Sequence, residues 1–185
     1  MKRLVQLGLA LLFTGALALP AMAQSLFRVG VSGGGTAPVR RFGELNAAGY
    51  NFGAHVLISS PFFPQDFKID VSHNRMKLDG SDANTMVTSA TLNLELNPGS
   101  ALARIAPYVS AGLGGYYVKT ALSGPAPTFT QYENTTKFGL NAGAGLRFPL
   151  SALNAFLEAR YHRVKSDRFV SGSVTYVPIV FGLTF

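Results

Sequence analysis

The sequence has no cysteine. That excludes a disulfide framework and any thiolate chemistry. It has no run of Lys and Arg, so the usual mark of a nucleic-acid partner is missing. Beyond the N-terminal leader, no apolar run approaches the roughly 18 residues that a membrane helix needs. There are 3 histidines, and none stands at His-x-x-x-His or His-carboxylate spacing that suggests a metal site. Gly33-Gly-Gly-Thr36 is glycine-rich like a phosphate loop, but no Lys and no helical pattern follow it. No cofactor is expected. An exported domain without disulfides needs either a large core or a membrane as its solvent.

Export is written at the N-terminus. Lys2 and Arg3 are a positive region, residues 4–19 are apolar, and Ala21-Met-Ala23 has the small-x-small form of a cleavage site. Residues 1–23 are therefore read as a signal peptide, and residues 24–185 as one domain. Removing the two leader cations leaves 14 basic against 9 acidic side chains, a modest and scattered positive balance. What the domain does have is glycine (20), phenylalanine (14) and tyrosine (7), a composition that leans towards β-structure.

The hydropathy period is two. Eight alternating segments are read at about 26–32, 49–59, 66–78, 84–96, 104–119, 136–148, 154–164 and 174–185. The last is the clearest. Phe185, Leu183, Phe181, Ile179 and Val177 share one parity and are apolar; Thr184, Gly182, Val180, Pro178 and Tyr176 share the other. Eight strands of about ten residues each suit a tilted crossing of a bilayer. An even count returns both ends to one side. The stretch from Gly33 to Ala47 and residues 121–135 are then long loops on the opposite side, while the turns near Pro61, Pro98 and Pro149 are short.

Alternation alone does not say which face is inside. The less apolar face carries Gly30, Gly53, Gly112, Gly114, Gly139, Gly143, Gly145 and Gly182, which make room in a narrow lumen and would weaken an exposed strand. It also carries Arg28, Asp70, Glu95, Arg147, Glu158 and Arg160, expected as a polar network of paired charges inside the barrel. The apolar face ends in aromatics on both sides of an aliphatic band, as at the two interfaces of a membrane barrel. Leu57 and Phe156 break the pattern.

Phe27-Arg-Val-Gly30, Pro107-Tyr-Val-Ser-Ala-Gly-Leu-Gly114, Phe156-Leu-Glu-Ala-Arg-Tyr161 and the ending Pro178 to Phe185 carry a likeness to a known family. With them the chain resembles the small outer-membrane β-barrel proteins of the OmpX/Ail and opacity-protein type. The resemblance implies an all-β, eight-stranded antiparallel up-and-down transmembrane barrel with its ends in the periplasm. It often implies a surface or adhesive role; a structural or surface-interacting role without catalysis is expected here. It also implies insertion by the outer-membrane assembly machinery, with Phe181, Gly182, Leu183 and Phe185 as the assembly signal. A monomer is expected. Basic side chains gather at the expected outer rim, and Arg75, Arg163 and Arg168 are candidates for contact with lipopolysaccharide phosphate. A soluble lipocalin-like carrier, a narrow channel and a lipid-modifying enzyme that uses His73 are the competing classes.

Overall fold

The computed structural model describes residues 26–44, 46–59, 65–78, 80, 84–97, 105–121, 135–150, 153–165 and 173–185. Eight strands follow one another: β1 (Phe27–Pro38), β2 (Asn46–Ser59), β3 (Gln65–Leu78), β4 (Asn84–Leu96), β5 (Ala106–Ala121), β6 (Thr135–Pro149), β7 (Asn154–Lys165) and β8 (Ser173–Thr184). Each pairs antiparallel with the next, and β1 pairs with β8, so the sheet closes. Closure leaves no unpaired sheet edge, which is the condition for a sheet to lie in hydrocarbon. Phe185 completes the seam: its N–H donates to Val29 O at 2.7 Å, and Val29 N–H donates to Phe185 O at 3.2 Å. Both ends of the described chain thus lie at one end of the barrel, the terminal end; the opposite one is the loop end.

The strands are longer than the periodicity predicts. The stretch Gly33 to Pro38, expected as loop, is the second half of β1. Its glycines and Thr36 pair with β2 on one side and β8 on the other. Two ladders of backbone hydrogen bonds override the poor strand propensity of glycine. The chain then turns through a short 3-10 segment, Arg40–Phe42, where Arg40 takes a positive φ of 59°. Among the described residues, two irregularities interrupt the wall. The β2–β3 register shifts between Ala47 and Tyr50. The β7–β8 ladder passes from Ala159↔Ile179 to His162↔Tyr176, leaving a gap at Pro178, which has no N–H to give. The leader, residues 122–134 and Arg168 lie outside the described residues.

The two faces separate as the alternation requires. Val29, Val31, Ile69, Val71, Leu92, Leu94, Val109, Leu113, Leu140, Leu157, Ile179 and Phe181 point outwards and are exposed. Aromatics flank this band: Tyr50, Phe52, Tyr117 and Phe138 towards the loop end, Phe27, Phe67 and Phe185 towards the terminal end. A soluble protein would not expose so large an apolar belt; a bilayer covers it. The buried residues include Lys68, Asp70, Glu95, Glu158 and Arg160, so the polar side is the inside. Leu57 and Phe156, which break the pattern, sit on that inner face, 2% and 4% exposed.

Candidate functional site: the barrel interior and the loop-end rim

The interior is filled in two different ways. Its terminal half holds a lattice of charge built from β1, β3, β4, β6 and β7. Lys68 Nζ lies 3.2 Å from Glu95 Oε1 and 3.2 Å from Glu158 Oε2. Arg147 reaches Glu95 Oε2 at 2.7 Å and Asp66 Oδ2 at 3.7 Å. Arg28 lies 3.6 Å from Asp66 and donates to Ser59 Oγ at 2.8 Å. Arg160 pairs with Glu158 and lies 4.0 Å from Asp70. The Tyr108 hydroxyl donates to Glu158 Oε2 at 2.8 Å. Four cations thus face four anions. That pairing offsets part of the cost of taking ions out of water, an offset that a lone buried charge would lack.

The six residues expected as a lumen network, Arg28, Asp70, Glu95, Arg147, Glu158 and Arg160, all take part in these contacts. The sequence reading left out Lys68 and Asp66. Lys68 is the hub, 3% exposed and touching both central glutamates. Its signal was available: it has the parity of Asp70 on the same strand.

Aromatic rings wedge between the charges, and glycine makes their room. Tyr108 stands across from Gly145, and Phe156 across from Gly182. A Cβ at Gly145 would run into the Tyr108 ring, and one at Gly182 into Phe156. Both rings also cover cations: Arg147 sits 5.1 Å over Tyr108, and Lys68 Nζ sits 5.1 Å over Phe156. His55 meets Phe156 edge-on at 5.4 Å and hydrogen-bonds Thr184 at 3.0 Å.

Towards the middle the polar groups become neutral. Ser72 and Ser89 are 2.9 Å apart, and Asn51 donates to Asn74 at 2.8 Å. His162 stacks on Tyr176 at 4.8 Å, and the Tyr116 hydroxyl meets its Nδ1 at 3.0 Å.

The loop-end half is built around an apolar cluster, edged by the buried Thr36, Asn46, Thr85 and Thr175. Phe42, Met76, Val87, Tyr116, Val164, Val174 and Tyr176 form one buried cluster, with Val118 packed against it. Phe42 is the part that no strand supplies. It comes from the 3-10 turn and is 3% exposed. That turn is tied on two sides: Val39 N–H donates to Thr175 O at 3.0 Å, the Thr175 hydroxyl donates to Val39 O at 2.9 Å, and Asn46 Nδ2 donates to Phe42 O at 3.0 Å. Asn46 in turn accepts from the Thr85 hydroxyl at 2.9 Å. Sequence reasoning missed Phe42 because it stands alone among polar residues, with no period to reveal it.

On the outer face near the loop end, His73 Nδ1 is 2.9 Å from Thr88 Oγ1 and its ring lies 5.2 Å from Phe52. Asp70 and Ser72 lie on the opposite face of the same strand, so they do not form a triad with it. Of the rim candidates, Arg75 is on β3, paired with Tyr50 and Met86, and Arg163 is on β7, exposed between Leu140 and Thr175. Arg168 lies outside the described residues. At the other end Phe181 and Phe185 are exposed on the lipid face, Leu183 is half-buried on that face, and Gly182 is turned inwards. Among the described residues, no three His, Asp or Glu side chains gather as a metal site.

Solved structures share this architecture. Neisserial surface protein A matches with a TM-score of 0.69 at 14% identity, over 85% of this chain and 95% of that one. The N-terminal β-barrel domain of OprF from Pseudomonas aeruginosa matches with a TM-score of 0.51 at 15% identity, over 85% and 97%. At such identities the likeness is one of fold. No curated protein sequence matches the chain significantly. The family model described as the outer membrane protein beta-barrel domain matches residues 9–184, and the chain belongs to that family of outer-membrane barrels.

Proposed function

We propose that this protein is a sealed barrel of the outer membrane, with its terminal end in the periplasm and its loop end outside. It works through its surface, as a structural or surface-interacting element, and carries no solute and no catalytic step. The observation that carries this reading is the pair of fillings in series. A solute would have to pass both a balanced lattice of ion pairs and an apolar stopper. Eight strands leave an interior just wide enough for side chains to fill, and here large ones stand in both halves.

Two partner classes go with the reading. The terminal strand would present Phe181, Leu183 and Phe185 to the outer-membrane assembly machinery, with Gly182 giving way to Phe156 inside. The basic loop-end rim, with Arg75 and Arg163, would meet lipopolysaccharide phosphates. The monomer is complete as a membrane unit, since its sheet is closed.

Electrophoretic mobility and planar-bilayer recording test the reading together. The folded protein should run differently in SDS before and after boiling and be recovered with outer membranes. It should give no reproducible conductance steps. Steps that vanish when Glu158 and Arg160 are changed would establish a channel instead. A protein that stays soluble in the periplasm would turn the apolar belt into a problem and refute the membrane reading.

A further inference from the structure

The outward face of β2 to β5 changes character in ordered rows towards the loop end. The registers place Ala54, Val71, Ala90 and Gly115 side by side, an apolar row. The next outward row is Phe52, His73, Thr88 and Tyr117. Beyond it come Tyr50, Arg75, Met86 and Lys119, and then Lys77 beside Asn84. Apolar wall, aromatic row and cationic row follow one another on one continuous surface.

The spacing suits more than one anionic group. Arg75 and Lys119 flank Met86 on strands two apart, about 10 Å from backbone to backbone, so their long side chains can converge on one phosphate above Met86. Lys77 stands one row further out, about 7 Å along β3, within reach of a second. The Tyr50 hydroxyl and the Asn84 amide add groups that bond to sugar hydroxyls. Below them Tyr50 and Phe52 stack at 6.3 Å, and Phe52 is 55% exposed, a floor on which acyl chains can lie. Arg163 has different ladder partners, Leu140 and Thr175.

We propose that this face is a binding site for the phosphorylated head of an outer-leaflet glycolipid, with one phosphate held between Arg75 and Lys119 and Lys77 above it. The inference rests on the orientation proposed above, which puts the loop end in the outer leaflet. Charge complementarity sets the occupant: a guanidinium and two ammonium groups suit a multiply phosphorylated head, and the hydroxyl and amide beside them suit a sugar.

The test uses the full-length protein in detergent, with retention of bisphosphorylated diglucosamine lipid as the readout. Arg75→Gln, Lys77→Gln and Lys119→Gln together should cut retention about tenfold or more. A charge-matched control, Arg40→Gln, Arg41→Gln and Lys165→Gln, should change it by less than about twofold. Equal losses in the two triple variants would mean that rim charge acts without a site, and would overturn the proposal. So would unchanged retention, equal retention of phosphatidylglycerol, or release by millimolar inorganic phosphate. The unboiled mobility of each variant is scored separately. A wild-type protein without a heat shift would refute the membrane reading on which the site rests, whatever the lipid result.

Discussion

The two halves of the barrel interior solve one problem by opposite means. The terminal half is closed by ions: Lys68, Arg147, Arg28 and Arg160 against Glu95, Glu158, Asp66 and Asp70. The loop-end half is closed by Phe42, Met76, Val87, Val164 and Val174 with two tyrosines. The first depends on the partners at its buried centre being present. The second depends on volume. A lattice of charge fails when a fully buried member is removed, because the remaining ions stay buried without compensation. An apolar cluster loses only the contacts of the atoms removed and collapses in part around the gap. The comparison teaches that burial does not measure importance: Lys68 and Phe42 are each 3% exposed, yet they should respond differently to truncation.

The largest effect is expected at Lys68→Met. It keeps the stem and removes the charge, leaving Glu95 and Glu158 without their shared cation. The cost should be about 3–5 kcal/mol, read from urea unfolding in lipid vesicles. Glu158→Gln added to it should return part of that loss. A Lys68→Met barrel as stable as the wild type would erase the distinction between the halves. Phe42→Ala comes next. Its cost should sit at or below about 3 kcal/mol, the lower end for truncating a buried phenylalanine, because a short turn can settle inwards. A larger loss than at Lys68 would reverse the order of the two halves. The smallest effect is expected at Arg28→Gln. Arg28 and Asp66 are partly exposed at the mouth, with side chains 25% and 15% accessible, so water screens the pair. The same unfolding experiment should register less than about 1 kcal/mol.

Much of the fold was legible because a barrel wall has a strict period. The eight segments and their order follow from alternation, and the glycines and charges of the other face put Val29, Ile69, Leu94 and Ile179 on the outside. The glycine face was also legible, and Gly145 and Gly182 show its cause in the Tyr108 and Phe156 rings. What stayed hidden has no period. Gly33 to Pro38 read as loop because propensity is local, whereas its strand state comes from two neighbours distant in sequence. Phe42 read as one residue in a polar turn because its burial is a tertiary contact. Leu57 and Phe156 were visible as exceptions, but only the closed barrel shows that they fill its interior. Lys68 shows a different limit: its face was readable, while its position at the hub depends on which strands meet across the lumen.

The central claim is that the middle of the lumen is shut from both sides, and the missing cysteines make it directly testable. Ser89 lies in that middle layer, 2% exposed and 2.9 Å from Ser72. Ser89→Cys would carry the chain's one thiol. In the folded barrel it should resist a water-soluble maleimide for hours and react within minutes once the protein is boiled. Adding Phe42→Ala should open it to reagent from the loop side. Rapid labelling of Ser89→Cys in the folded barrel, with Phe42 in place, would contradict the account: the interior would be a water-filled path, and the two fillings would be its lining.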